Sequence, residues 1–258
     1  KVFSLAIQSV GMTAATITII VLRIKVEWRV ILWASVGGVP GIYVGSVILT
    51  PYLQADLLKM LFTTLILSVA LTLVLLNSSQ RQCNERLTIY QWHEKIVLFF
   101  SGIMGGIMTG LVGNGIDIIC FSVMVLLFRL SEKIATATSV ILMAVNAIVG
   151  FFIHVYLIES FSKQIETYWL SAIPVVVVGA PLGAYFCSRL SNKMVESILV
   201  TLIMLELISS LILIPMTAAI IQVCVILFFL CILIYYRMYK VSRYCPDFTH
   251  GKISTMVD

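Results

Sequence analysis

One short segment near the middle of this 258-residue chain carries groups that are suited to binding an anion. Gly113, Asn114 and Gly115 interrupt an apolar stretch that would otherwise continue as one helix. A helix that restarts after such a break presents free N–H groups and the positive end of its dipole, and both attract negative charge. Asn114 adds an amide donor, and glycine keeps bulky side chains away from the backbone. The sequence therefore predicts an anion site at residues 113–115.

Asp117 follows this break at a depth where a carboxylate is costly, and two roles remain open for it. In the first, Asp117 carries a coupled proton and is neutral while the anion is bound. In the second, it caps the helix by accepting hydrogen bonds from backbone N–H groups. Glu206 is another acid within an apolar segment. The sequence predicts that Glu206 either takes part in proton coupling or bonds to a neighbouring helix.

Hydroxyl groups are predicted to complete the site. Thr136, Thr138 and Ser139 cluster near the start of the segment predicted at 134–158, the next one after the segment that begins at the break, and this start offers a second helix N-terminus. Ser9 and Thr13 occupy a comparable position in the first half of the chain. The sequence holds no Cys-x-x-Cys pair, no Walker motif and no nucleophile elbow, so it predicts neither a cofactor, nor a bound metal, nor an enzyme.

The elements that must position these residues are membrane helices. Hydrophobic residues make up 60% of the sequence and charged residues only 11%, with a mean hydropathy of +1.08. A soluble domain has roughly 25% charged residues. Apolar runs of the length that crosses a bilayer recur along the chain, and they do not alternate as barrel strands do. The predicted fold is an all-α polytopic membrane protein of eight to nine transmembrane segments, at residues 3–22, 30–50, 56–76, 96–112, 116–129, 134–158, 168–188, 195–214 and 217–237.

The positions of the basic residues predict the orientation of these segments. A cytoplasmic C-terminus places 14 of the 17 lysines and arginines in inside loops and leaves Lys1, Lys59 and Lys163 outside. This arrangement requires 96–112 and 116–129 to enter and leave on the same side, as a hairpin broken by glycines. The expected location is the plasma membrane. The net charge of +5 belongs to these loops and does not indicate a nucleic-acid partner.

An offset of 141 residues aligns the two halves of the chain. The residues that coincide are Trp28 with Trp169, Gly38 with Gly179, and Pro40 with Pro181. The aligned segments run in opposite directions, which predicts two inverted-topology repeats, an architecture typical of transporters. The predicted divisions are a first repeat at 1–76 that lacks its glycine-rich helix pair, a cytoplasmic loop at 77–95, a complete second repeat at 96–214, an extra helix at 217–237 and a cytoplasmic tail at 238–258.

Four motifs in the chain resemble those of the TauE/SafE family of membrane transporters, the sulfite-exporter superfamily. They read G-I-M-T-G-L-V-G-N-G at 106–115, S-E-K-I-A-T-A-T-S-V-I-L-M-A-V-N-A-I-V-G at 131–150, S-V-G-M-T-A-A-T at 9–16 and V-E-W-R-V-I-L-W-A-S-V-G-G at 26–38. The resemblance extends to about Pro215. It implies export or uptake of small anions such as sulfite or sulfonates, energised by the proton gradient rather than by ATP.

The residues and the resemblance together predict a secondary transporter of a small anion, most readily sulfite or an organosulfur anion, coupled to protons. Its expected partners are that anion, protons, the lipid bilayer and, for assembly, further copies of the chain as a homo-oligomer. Two alternatives remain open from the sequence. One is a seven-helix-type receptor or membrane scaffold that moves nothing, and the other is a channel.

Overall fold

A computed structural model of the chain describes residues 1–77, 92–214 and 217–244, and these residues form helices and no strand. Most of the predicted loop at 77–95 and of the predicted tail at 238–258 lies outside the described residues. The helices are α1 (Val2–Val21), α2 (Trp28–Tyr43), α3 (Ala55–Asn77), α4 (Trp92–Val112), α5 (Ile116–Ser122), α6 (Glu132–Phe152), α7 (Lys163–Arg189), α8 (Asn192–Leu213) and α9 (Ala218–Tyr244).

Three helices continue beyond these bounds in a wider, π-helical form. These continuations are Val44–Leu49 after α2, Val123–Leu127 after α5 and Ile153–Leu157 after α6, and a 3-10 turn at Thr50–Tyr52 follows the first of them. With them included, each predicted segment corresponds to one helix, although α4 begins four residues earlier, α7 begins five residues earlier and α9 ends seven residues later than predicted. Lysine and arginine are good helix formers, so the basic residues after 236 do not end α9.

Seven of the described helices are long and apolar enough to cross a membrane. Two shorter apolar stretches accompany them, at Ile116–Leu127 and Ser197–Leu213. The prediction of an all-α polytopic membrane protein is therefore confirmed. The short stretch that begins at Ile116 is also the predicted second arm of the glycine-broken hairpin, and its residues are largely buried against the surrounding helices.

Glycine residues bring α2 and α4 into direct backbone contact. A Cβ atom added to Gly102 would overlap the carbonyl oxygen of Ala34, and one added to Gly106 would overlap the carbonyl oxygen of Gly38. Small residues at such spacing allow membrane helices to approach closely, where dispersion and weak hydrogen bonds hold them together. This contact fixes α4, and therefore the break that follows it, against the centre of the bundle.

The helix contacts have the pattern that two repeats related by a two-fold axis would give. Under the offset of 141 residues, α1 corresponds to α6, α2 to α7 and α3 to α8. When the two repeats are exchanged, the α1–α6 and α3–α8 contacts are unchanged and the α1–α7 contact becomes the α2–α6 contact. All four contacts are present in the structure. The division into repeats at 1–76 and 96–214 stays a prediction that this pattern supports.

Hydrogen bonds between helix ends show that α1 runs parallel to α7 and antiparallel to α6. The indole N–H of Trp169, early in α7, donates to the carbonyl of Ala6, early in α1, at 2.8 Å. At the other end, the N–H of Glu27 donates to Thr138 Oγ1 at 3.1 Å, and Lys133 Nζ donates to the carbonyl of Leu190 at 3.4 Å. We call this second end the basic end, since it holds Arg23, Lys25, Arg29, Arg129, Lys133 and Arg189.

Candidate functional site

The break between α4 and α5 is a tight backbone turn made by glycine. Gly113 and Gly115 have φ angles of 96° and 151°, which residues with a Cβ rarely adopt. Thr109 closes the turn, because its hydroxyl accepts a hydrogen bond from the N–H of Ile116 at 2.9 Å. The first N–H of α5 is therefore already bonded within the protein and is not one of the free donors that the sequence predicted.

Asp117 is the second residue of α5, and its carboxylate lies at the start of that helix. It accepts backbone hydrogen bonds from Gly115 and Ile118, as a capping carboxylate does. Its Oδ1 atom, in contrast, is buried and has no hydrogen-bond partner among the described residues. Both predicted roles of Asp117 therefore have structural support: it contributes to the cap and keeps one carboxylate oxygen available.

A cavity of about 670 Å³ lies between the break, α3, α6 and α8. Five residues predicted for the site line it, although they are distributed over 93 positions of sequence from the first to the last. They are Asn114, Asp117, Thr136, Ser139 and Glu206. The side-chain oxygen of Asn114 is, like Asp117 Oδ1, buried without a partner among the described residues. The cavity thus brings together amide, hydroxyl and carboxylate groups.

The other predicted residues do not line this cavity. Ser9 and Thr13 donate their hydroxyl groups to carbonyls of their own helix, those of Ala6 and Ser9 respectively. Thr138 accepts the bond from Glu27 that ties α6 to the segment between α1 and α2. Gly113 and Gly115 shape the turn around Asn114. A binding role for these five residues stays a prediction, and their contacts in this structure are structural ones.

Sequence reasoning did not place Lys59 and Ser4 in the site, yet both line the cavity. Lys59 lies in the first turns of α3, and no hydrogen bond or ion pair of its ammonium group occurs within residues 1–77, 92–214 and 217–244. Ser4 donates to the carbonyl of Gly113 at 3.2 Å and accepts from Gln8 Nε2 at 2.9 Å. A lysine isolated between apolar residues was the available signal, since such a residue faces a cavity or a partner.

A hydrogen-bonded chain of side chains holds Glu206 in place. Ser210 donates to Glu206 Oε1 at 3.3 Å, and Thr63 and Ser210 share a hydrogen bond of 3.2 Å between α3 and α8. Thr63 Oγ1 also lies 3.0 Å from the Lys59 carbonyl, and because Thr63 and Ser210 have one hydroxyl proton each, they make two of these three hydrogen bonds at a time. Glu206 therefore keeps most of its acceptor capacity for the cavity, because one hydroxyl satisfies only one of its carboxylate positions.

A second, smaller cavity of about 230 Å³ lies at the basic end, between α1, α6 and α7. Its lining is mostly apolar, with Lys133, Cys187 and Ser188 among the exceptions. Thr136 and Val140, one turn apart on α6, line both cavities. The two cavities therefore adjoin along a single turn of α6.

Replacement of Thr109 with valine is expected to destabilise the protein by about 1–3 kcal/mol. Valine has a similar shape but leaves the buried N–H of Ile116 without an acceptor, and an unpaired buried donor costs about this much. Thermal unfolding of the purified protein in detergent measures the change. Thr201→Val is the matched control, because Thr201 is exposed and donates only to Ser197 of its own helix. Equal losses of stability in the two variants would contradict a special role for Thr109.

The model of one family, described as Sulfite exporter TauE/SafE, matches residues 2–209. No curated protein and no solved structure matches the chain. Among the described residues there is no group of three or more His, Cys, Asp or Glu side chains placed to hold a metal ion.

Proposed function

Because the chain belongs to the sulfite exporter TauE/SafE family, we propose that it is a proton-coupled secondary transporter whose substrate is sulfite or an organosulfur anion. Members of this family are membrane transporters of small anions and not enzymes. The observation that carries the finer proposal is the 670 Å³ cavity, where the Lys59 ammonium group, which has no ion pair among the described residues, faces the same space as the carboxylate of Asp117 at the helix break.

The anion is bound by donors that line this cavity. Lys59 supplies a full positive charge and Asn114 an amide. Thr136 and Ser139 also line the cavity, but their hydroxyl groups donate to the carbonyls of Glu132 and Thr136 at 2.7 and 2.9 Å, so they reach the anion only by turning away from these carbonyls. Charge-assisted hydrogen bonds are stronger than neutral ones, so Lys59 is the principal donor. The first N–H of α5 contributes indirectly, since Thr109 uses it to fix the turn that holds Asn114.

Asp117 carries the coupled proton. Asp117 lines the same cavity as the anion donors, and its buried Oδ1 atom has no hydrogen-bond partner among the described residues, so protonation of this carboxylate removes a negative charge that would repel the anion. Protonation of Asp117 and binding of the anion are thus linked electrostatically, without direct contact between Asp117 and the anion. We place the transporter in the plasma membrane with the C-terminal end of α9 on the cytoplasmic side, because the basic end then faces the cytoplasm. A homo-oligomer is compatible with the many apolar side chains exposed on α7, α8 and α9.

Removal of the lysine charge is expected to weaken anion binding. In proteoliposomes that contain the full chain, uptake of radiolabelled sulfite is expected to saturate, and Lys59→Gln is expected to raise the KM about tenfold, or roughly 1.4 kcal/mol. Lys59→Arg keeps the charge and is expected to retain most of the wild-type affinity. Flux that rises linearly with concentration would indicate a channel, and binding without flux would indicate a receptor. An unchanged KM in Lys59→Gln would exclude Lys59 from the site.

A further inference from the structure

The main cavity contains more negative than positive charge, which is unfavourable for an anion alone. Lys59, Asp117 and Glu206 line it, and no ion pair joins any of them within the part of the chain that the structure describes. With all three ionised, the lining carries one positive and two negative charges. Unpaired charges within a membrane protein are costly, and they mark positions where a ligand or an ion supplies the missing partner.

The packing of α3 against α8 separates Lys59 from Glu206 along the membrane normal. Val69 and Leu199 belong to one hydrophobic cluster, whereas Met60 and Ile214 belong to another, so the two helices are antiparallel. The hydrogen bond between Thr63 and Ser210 joins them between these clusters. Lys59 precedes Thr63 by four residues and Glu206 precedes Ser210 by four residues, so the two lie in opposite directions from this bond. Their backbones are therefore about two turns, or about 11 Å, apart along the axes.

This separation suits a ligand that has two charged groups a few atoms apart. The backbones of Lys59 and Glu206 are about 11 Å apart along the helix axes, and both side chains extend into the cavity. The space between the ammonium group and the carboxylate therefore suits a ligand whose own charged groups are a few bonds apart. The cavity volume of about 670 Å³ also lies within the range of sites that enclose organic ligands, roughly 300–1,000 Å³. A sulfite ion occupies only a small part of that space and satisfies only one of the two ends.

We propose that the substrate of this cavity is a small zwitterion, in which Lys59 and Asn114 bind the anionic group and Glu206 binds an ammonium group. The inference rests on the proposed transport function and adds to it the substrate class. An aminosulfonate with two or three bonds between its charged groups satisfies both requirements, and an amino carboxylate of similar length does so as well.

Glu206, rather than Asp117, provides the ammonium subsite because of how each carboxylate is bonded. Backbone N–H groups of Gly115 and Ile118 already engage the Asp117 carboxylate. Glu206 receives one hydroxyl bond from Ser210 and keeps the rest of its acceptor capacity. The substrate ammonium group therefore neutralises Glu206, and the coupled proton neutralises Asp117. The loaded cavity then has a balanced charge.

Two sulfonates of nearly equal size test this proposal. 2-Aminoethanesulfonate carries an ammonium group at neutral pH, and 2-hydroxyethanesulfonate carries a hydroxyl in the same place. Each competes with radiolabelled sulfite for uptake into proteoliposomes that hold the full chain. We expect the amino compound to compete about tenfold better in the wild type, which corresponds to roughly 1.4 kcal/mol. In Glu206→Gln, the ratio between the two compounds is expected to fall from about ten to about one, because the amino compound competes more weakly while the hydroxy compound is unchanged.

The controls separate this inference from the proposed transport function. Glu166→Gln, an exposed acid in the first turn of α7, is expected to keep the tenfold preference. Equal competition by the two sulfonates in the wild type would overturn the zwitterion proposal while leaving anion transport intact. Equal weakening of both compounds in Glu206→Gln would show that Glu206 is structural and would also overturn the subsite. Absence of flux for sulfite and for both sulfonates would overturn the transport function itself.

Discussion

Asp117→Asn is expected to abolish uptake driven by a pH gradient while substrate exchange across the same membrane continues. Asparagine has nearly the same shape and keeps an oxygen that accepts the backbone bonds from Gly115 and Ile118, so the turn and the cavity are retained. It cannot bind and release a proton. With one proton per substrate, a gradient of one pH unit drives accumulation of about tenfold in the wild type. In the variant, accumulation is expected to end at equal concentrations inside and outside.

Two assays in the same proteoliposomes distinguish coupling from folding. Gradient-driven uptake reports the proton step, and counterflow of labelled against unlabelled substrate reports binding and exchange alone. Asp56→Asn is the matched control, because Asp56 is likewise the second residue of a helix but is exposed and does not line the cavity. Uptake driven by the gradient at wild-type level in Asp117→Asn would restrict Asp117 to its capping role. Loss of both activities would instead indicate damage to the cavity.

Gly106→Ala is expected to cause a large loss of stability. The new methyl group would overlap the carbonyl oxygen of Gly38, which is backbone and cannot turn aside as a side chain does. Helices α2 and α4 would have to separate along their contact. Overpacking of this kind costs about 3 kcal/mol, and the melting temperature of the protein in detergent is expected to fall by roughly 10 °C.

Gly179 provides the control for this prediction, since it is the residue that the 141-residue offset aligns with Gly38. A Cβ atom at Gly179 meets no other atom within 4 Å. Gly179→Ala is therefore expected to leave stability unchanged or to raise it slightly, because alanine favours the helix by up to about 1 kcal/mol. A similar fall in melting temperature for both variants would show that the loss comes from the helix itself and not from contact between α2 and α4.

The helices could be predicted from the sequence because their signal is local. Long apolar runs leave the backbone of a membrane segment no alternative to helical hydrogen bonds, so the positions of the nine segments followed directly. The convergence of Asn114, Asp117, Thr136 and Ser139 was also accessible, since all four lie at or just beyond one break in the chain. Glu206 could be recognised as an acid in an apolar segment, although its neighbours could not.

The remaining part of the site depends on contacts between distant segments. Lys59 and Ser4 reach the cavity only because α3 packs on α8 and the start of α1 packs against the break, and no local pattern specifies either contact. For Ser9 and Thr13, the sequence predicted a binding role, whereas their hydroxyl groups bond to their own helix in the structure. A serine or threonine within a helix can donate to a carbonyl of the preceding turn or to a ligand, and its position in the sequence is the same in both cases.

The turn of α6 that lies between the two cavities has a consequence for how tightly the membrane is sealed. Thr136 and Val140 border the 670 Å³ cavity on one side and the 230 Å³ cavity at the basic end on the other. The barrier to water and ions along this route is therefore only as thick as one row of side chains. A shift of that turn would enlarge one cavity at the expense of the other. Thr136 and Val140 are thus part of a shared wall, so a change of bulk at either position alters both cavities at once.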